Sequence, residues 1–488
     1  MIFNSLHFAA FFLVVYAVYR VVPHRGQNWL LLAAGYYFYA SWDPRFLGLL
    51  IAVTLAAYAC GLLLGRTADR GRRKGLLAAG LAFNLAVLGF FKYAGFFAEN
   101  LQRLLALAGW RADAVTLRVI LPVGISFYTF VAMGYLIDVF RRQAEPARNL
   151  RDFAVFIGFF PTLLAGPIMR SSGLLRQIAS PRSLAPVAAA EGLWLILWGA
   201  FKKMFVADNL ARAVDGVFAA GHEPSGLAVV LGTVAFAFQI YGDFSGYTDI
   251  ARGTSRLLGI DLKVNFRFPY FVTTPQGFWA NWHITLSEWL RDYLFLPVSY
   301  AASRRLDGVR WLGQRDDFWI YASATLVTML AAGLWHGAAW TYVAWGAYQG
   351  LLLVAFRFAA RRRTRRTAGP RPWRFQWRDA PAALFMFALT CGGWLLFRAA
   401  SLQQALQFAG RIVTGFAPSW NDAEAVGLPL AVYAGPLLAV HLAEARRGTL
   451  DVVRSWPRVW RFAAVVALLY AIVLFGDFEG SEFLYFQF

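Results

Sequence analysis

Acid and sulfur are scarce in this chain of 488 residues, in which 27 Asp and Glu stand against 47 Lys and Arg and only two cysteines and six histidines occur. Two cysteines cannot build a disulfide framework or a thiolate metal site. Both Cys60 and Cys391 lie inside apolar runs, where they read as small core residues. The sequence has no Walker-type glycine loop, no Gly-x-Ser-x-Gly elbow and no His-Glu-x-x-His pair, so ATP-driven pumping and zinc hydrolysis have no motif to rest on. Charge of any sign is thin, at 15% of residues, whereas 59% are hydrophobic and 17% aromatic. A soluble protein of this length needs far more polar surface.

What fills the chain is a series of apolar runs, near residues 6–22, 28–42, 46–65, 76–97, 119–139, 153–169, 187–207, 227–244, 318–335, 338–358, 381–397, 428–443 and 460–475. Each approaches the length that crosses about 30 Å of hydrocarbon. Several are short or interrupted by Gly and Pro. The expected fold is therefore all-α, with about ten to twelve transmembrane helices and the remaining runs re-entrant or interfacial. No water-soluble domain of useful size fits between them, and 1–488 reads as one membrane domain. The first run has no basic segment before it and no small-residue cleavage site after it, so it reads as a retained span.

The net charge of +20 would point to nucleic acid in a soluble chain. Here the basic residues sit in short connections between apolar runs, which is the positive-inside pattern, and no nucleic-acid partner is expected. Arg66, Arg70, Arg72, Arg73 and Lys74 form one such loop; Arg141, Arg142, Arg148 and Arg151 form another; nine arginines run from Arg357 to Arg378. With the amino terminus outside, counting spans puts the first two loops in the cytoplasm, so count and charge agree. Anionic lipid headgroups are the natural partners of these arginines.

Within residues 329–350 the one strongly ionisable side chain is His336. An ionisable group at membrane depth is costly and usually does chemistry or lines a path; the plainer reading is a histidine that ties two helices together. Gly333 and Gly337 flank it, leaving room for a substrate beside the ring. Residues 277–293 place Phe278, Trp282, Leu286, Trp289 and Tyr293 on one helical face and His283 with Ser287 on another, as an interfacial helix would. Residues 238–250 bring Asp243 and Asp249 to the end of an apolar run, where an arginine or histidine is the expected counter-charge. Residues 121–130, with Pro122 and Gly124, and 159–170, with two prolines and a glycine, read as broken helices. Such breaks are tolerated around a cavity or inside protein, and together they predict a polar tunnel.

Five segments in order, Leu-Pro-Val-Gly-Ile-Ser-Phe-Tyr-Thr-Phe at 121–130, Ala-Gly-Pro-Ile before Arg170, Tyr-Gly-Asp-Phe-Ser-Gly-Tyr-Thr-Asp-Ile-Ala-Arg-Gly at 241–253, Trp282-His283-Ile-Thr-Leu-Ser-Glu-Trp, and Leu-Trp335-His336-Gly-Ala-Ala-Trp, resemble the membrane-bound O-acyltransferases and, within them, the bacterial alginate O-acetyltransferase branch. The carboxyl end, 482–488, is also similar to that family's. The resemblance implies a multi-pass protein of the bacterial inner membrane that moves an acetyl or other acyl group from a cytosolic thioester, carried by coenzyme A or an acyl carrier protein, to a hydroxyl on a cell-surface glycan or on an exported acetyltransferase partner. It implies His336 as the catalytic residue and His283 as a second functional histidine, with Trp282, Ser287, Asp243 and Trp335 binding substrate, and no tightly bound cofactor beyond the thioester co-substrate. The chemistry agrees: acyl transfer needs a base in reach of the hydroxyl, and a histidine in a low-dielectric tunnel is kept neutral and able to accept a proton. Ala280 and Asn281 stand where the alginate branch often has a basic pair, and 296–300 replace a Gly-Asn-rich stretch, so alginate, cellulose, peptidoglycan or another glycan all stay open as acceptor and polysaccharide machinery as partner. Two rival classes remain: a haem held by His283 and His336 in an electron carrier, and a proton-coupled transporter using Asp243 and His336, although no two-fold repeat is visible.

Overall fold

The computed structural model describes residues 1–110, 119–183, 185–219, 221, 223–360, 374–417, 419–478 and 483–484. Arg361 to Arg371 of the third basic loop lie outside the described residues, as does most of the carboxyl end. Among the described residues the chain is helical, with a single β-bridge between Trp311 and Gln314. Among the described residues seven helices are long and apolar enough to cross a membrane: Pro44–Arg66, Arg70–Leu107, Gly226–Leu257, Asp316–His336, Trp377–Arg398, Trp420–Arg447 and Arg458–Phe475. Leu6–Val21 and Ile125–Phe140 are shorter apolar helices, and His24–Ala40, Pro186–Ala200 and Trp340–Ala360 occupy three more of the apolar runs. The protein is an all-α, multi-pass membrane protein.

The two runs expected to be broken are so, for reasons written in their prolines and glycines. The run at 119–139 becomes helical only at Ile125, because Gly124 at φ 75° sets the helix start in the left-handed region. The run at 153–169 divides into Leu150–Ile157 and the single turn Phe160–Leu163, with Pro161 at the start of the second. Both breaks are buried, as backbone that leaves a helix in a membrane must be.

The chain divides into two compact units, one made of 1–196 with 250–263 and one of 197–249 with 264–487. In the first, Tyr19 donates its hydroxyl to the carbonyl of Leu258 (2.7 Å), and Arg256 pairs with Glu191 (2.7 Å). Arg73, drawn from a loop expected to face water, is buried, and its guanidinium donates to the carbonyls of Leu64, Val139 and Phe140. It thereby joins the carboxyl ends of Pro44–Arg66 and Ile125–Phe140, so the loops at 66–74 and 141–151 lie at one end of this unit, as the span count requires. In the second unit the helices Asp316–His336 and Trp340–Ala360 pack closely. A Cβ at Gly333 would strike the carbonyl of Tyr342, and one at Gly346 the carbonyl of Met329, so hydrogen at these two positions permits the approach.

Candidate active site

All the sequence-nominated side chains fall in the second unit. His336 is the last residue of Asp316–His336, is 4% exposed, and stands in a cage of ring edges: Trp335 and Trp345 at 5.0 Å and Phe397 at 5.3 Å between centroids. The space beside Gly333 and Gly337, expected to admit a substrate, is filled by protein. A Cβ at Gly337 would run into the Tyr342 ring, as one at Gly333 would into its carbonyl. Those glycines serve helix packing instead.

His283 departs from its sequence reading in a more informative way. Residues 277–293 are not one amphipathic helix. Pro275–Asn281 ends at Trp282, and a new helix, Ile284–Leu290, begins after His283, whose φ of 43° and ψ of 54° are left-handed. His283 and Ser287 therefore do not share a helical face. Ser287 instead donates its hydroxyl to the carbonyl of Trp282 (3.2 Å) and its N–H to the carbonyl of His283 (3.0 Å), closing the turn. A left-handed non-glycine residue costs about 1–2 kcal/mol and persists where its surroundings dictate it. Here Asn265 dictates it. This residue, 1% exposed, accepts from Ile284 N–H on its carbonyl (2.9 Å) and, on its side-chain oxygen, from the N–H (3.1 Å) and hydroxyl (2.8 Å) of Thr285.

The strained turn drives the His283 ring fully inside, edge-on to Phe244 at 4.6 Å and against Trp335 at 5.9 Å. Burial holds its pKa well below the usual 6.5, so the imidazole is neutral at physiological pH. Both histidines thus pack on one indole, that of Trp335. Trp282 continues the aromatic wall, stacked on Phe278 (5.5 Å) and against Trp394 (4.9 Å), itself 6.4 Å from Trp345. The structure brings together His283, Trp282, Trp335 and His336.

It does not leave Asp243 open to a substrate. One carboxylate oxygen takes the ammonium of Lys203 (2.8 Å) and the other accepts the N–H of Leu484 (3.0 Å). Asp249 pairs with Lys202 (2.5 Å), which also donates to Ser245 (2.6 Å). The counter-charges are lysines, not the expected arginine or histidine. They come from Phe201–Ala207, whose π-helical winding aims two consecutive lysines inward, Lys203 also reaching Asp208 (2.7 Å).

A family model described as the membrane-bound O-acyltransferase family matches residues 145–396. A probable alginate O-acetylase AlgI of Pseudomonas putida is 34% identical over the whole of both chains, and one of Azotobacter vinelandii is 38% identical over 83% of this chain and 76% of its own. A peptidoglycan O-acetyltransferase of Helicobacter pylori is 31% identical over 83% and 79%. The chain belongs to the membrane-bound O-acyltransferase family. It is an O-acyltransferase, and the motif-based resemblance, which spans both histidine segments, is accounted for.

Sequence reasoning missed several parts of this acyltransferase's interior. Lys202 and Lys203 sit in the apolar run 187–207, and His441 in the run 428–443, where it meets the Tyr241 hydroxyl at 3.2 Å. The argument that singled out His336, the cost of an ionisable group at membrane depth, applies to each of them. Asn265 carried no such signal. Its role depends on a backbone strain at His283, 18 positions away, that no periodicity reveals.

Proposed function

We propose that this enzyme carries an acetyl group from a cytosolic thioester to a hydroxyl on a cell-surface polysaccharide or on an exported protein that serves one. The pair of buried histidines packed on Trp335 carries the reading. In it, the imidazole of His336 accepts the proton of the acceptor hydroxyl as that oxygen attacks the thioester carbonyl. The tetrahedral intermediate then collapses, the carbon–sulfur bond breaks, and the thiolate takes the proton back from the imidazolium. General-base help of this kind is worth about 10²–10⁴ in rate; positioning and oxyanion stabilisation supply the rest. The neutral His283 positions the thioester carbonyl. Among the described residues the buried indole N–H of Trp345 makes no hydrogen bond, which leaves it available as a donor to the developing oxyanion beside His336.

Acetyl as the group and a surface glycan as the destination are supported by relatives named for alginate and peptidoglycan acetylation. A cytoplasmic side for thioester entry is supported by the arginine distribution; a place in the inner membrane and a route through a tunnel belong to the same proposal and rest on the family resemblance alone. The thioester, as coenzyme A or on a carrier protein, is a co-substrate and not a bound cofactor. Purified enzyme given acetyl-coenzyme A should release coenzyme A, faster with an acceptor present, and His336→Ala should remain inserted but release it about 10²–10⁴ more slowly. Release at the parent rate from that variant would exclude His336 as the base.

A further inference from the structure

At the end of the first unit where Pro44–Arg66 and Ile125–Phe140 finish lies a cleft of about 480 Å³, lined by Arg66, Thr67, Arg142, Glu145 and Pro146, with the buried Arg73 at its base. The base is closed electrostatically. Carbonyls at a helix carboxyl end carry partial negative charge, and Arg73 compensates those of both helices through its bonds to Leu64, Val139 (3.1 Å) and Phe140 (2.8 Å). The walls are not. The guanidinium groups of Arg66 and Arg142 make no hydrogen bond or ion pair among the described residues. Glu145, the one acid of the lining, pairs with Arg148 (3.4 Å). The cleft therefore presents two uncommitted cations.

Backbone geometry adds a second observation. Arg142 has a φ of 59°, one of four left-handed non-glycine residues among those described. That conformation costs about 1–2 kcal/mol; it closes the end of Ile125–Phe140, where the N–H groups of Gln143 (2.9 Å) and Ala144 (3.3 Å) return to the carbonyl of Asp138, and it brings Arg142 into the lining that Arg66 shares. We propose that this cleft binds a phosphate-bearing anion, gripped by Arg66 and Arg142. Guanidinium forks match phosphate oxygens pairwise. Basic pockets between helices at the cytoplasmic boundary, where the arginine count places this end, lie at headgroup depth. The phosphate of an anionic lipid and that of a soluble compound offer the same chemistry, and the site is independent of the acyl-transfer reading.

The test uses the full chain, delipidated in neutral detergent. Retention of phosphatidylglycerol over phosphatidylcholine is read by native mass spectrometry, and thermal stabilisation by pyrophosphate is read separately. Parent protein should respond in at least one arm; the lipid arm identifies a headgroup site and the pyrophosphate arm a soluble ligand. Arg66→Gln with Arg142→Gln, both exposed, should lower the apparent affinity by about 10–100-fold, the loss expected for charge-assisted hydrogen bonds. Arg103→Gln, an exposed arginine outside the cleft and near the other end of Arg70–Leu107, should leave it unchanged. No response from the parent protein in either arm, an unaltered response in the double variant, or an equal loss in Arg103→Gln would each overturn the proposal.

Discussion

The dipeptide Trp-His occurs at both histidines, and the two copies are built in opposite ways. Trp335-His336 ends a regular helix of 21 residues, and its histidine is held by surrounding rings. Trp282-His283 breaks a helix, and its histidine sits in a left-handed turn held by Asn265 and Ser287. Both deliver a buried imidazole to the same indole. The difference teaches that one histidine is placed by packing and the other by backbone strain, and substitutions should separate the two.

The largest contrast is chemical. His336→Ala and His336→Gln should both lower transfer by about 10²–10⁴, since neither side chain accepts and releases a proton at neutral pH. At 283 the outcome should depend on the replacement. His283→Asn keeps a hydrogen-bonding group on a residue that tolerates the left-handed region, and should retain clearly more transfer than His283→Ala. Glycan or coenzyme A release assays that found Asn no better than Ala at 283, or Gln better than Ala at 336, would erase the distinction.

The clamp comes next. Asn265→Ala removes the acceptor of two buried donors of Thr285, which costs about 1–3 kcal/mol, and it should do so through the His283 turn while His336 keeps its cage. Asn265→Asp, which preserves an acceptor oxygen, should recover part of the transfer lost in Asn265→Ala. Loss of stability without loss of transfer in the alanine variant would show that the strained turn is structural only.

The third comparison is one of sign. At 283 the left-handed backbone favours glycine over alanine by about 1 kcal/mol; at 336, the last residue of a helix, alanine is favoured over glycine by less than the roughly 1 kcal/mol of a helix interior. Melting temperatures of the four variants in one detergent should therefore rank in opposite order at the two sites. The same order at both would mean that the left-handed turn relaxes in solution.

This asymmetry also explains what was legible. His336 could be found because a lone ionisable residue in an apolar run is rare and expensive, and its regular helix leaves the periodicity intact. The aromatic spacing of 277–293 was equally real, yet it predicted a continuous helix. Helical periodicity constrains which side chains lie on one face but carries no information about a single left-handed residue. Asp243 shows a third case: its burial was readable and its partner was not, because a lysine inside an apolar run is hidden by its neighbours and its direction is set by a π-helical turn. Family motifs supplied the order of the segments and the chemistry, and the breaks near 124 and 160 were legible in their prolines and glycines; the break at 283 had to come from the fold.

The smallest effect expected is on pH dependence. The His283 ring meets Phe244, Phe266 and Trp335, none of them charged, and burial holds its pKa in the folded protein well below 6.5. In the unfolded chain the ring titrates near 6.5. Between those two values the unfolded state binds the proton and the folded state does not, so the histidine's contribution to stability is complete above about pH 6.5 and is lost as pH falls toward the folded value. The loss reaches at most about 1.4 kcal/mol per pH unit. Melting of the detergent-solubilised enzyme should therefore be flat with respect to this group from pH 9 to 7 and decline below 6.5, and His283→Gln, which has no proton to take, should decline less steeply. Other histidines contribute equally to both proteins, so the difference between the curves isolates the ring at 283. Parallel curves below pH 6.5 would mean that water reaches His283 and that its imidazole is protonated in place.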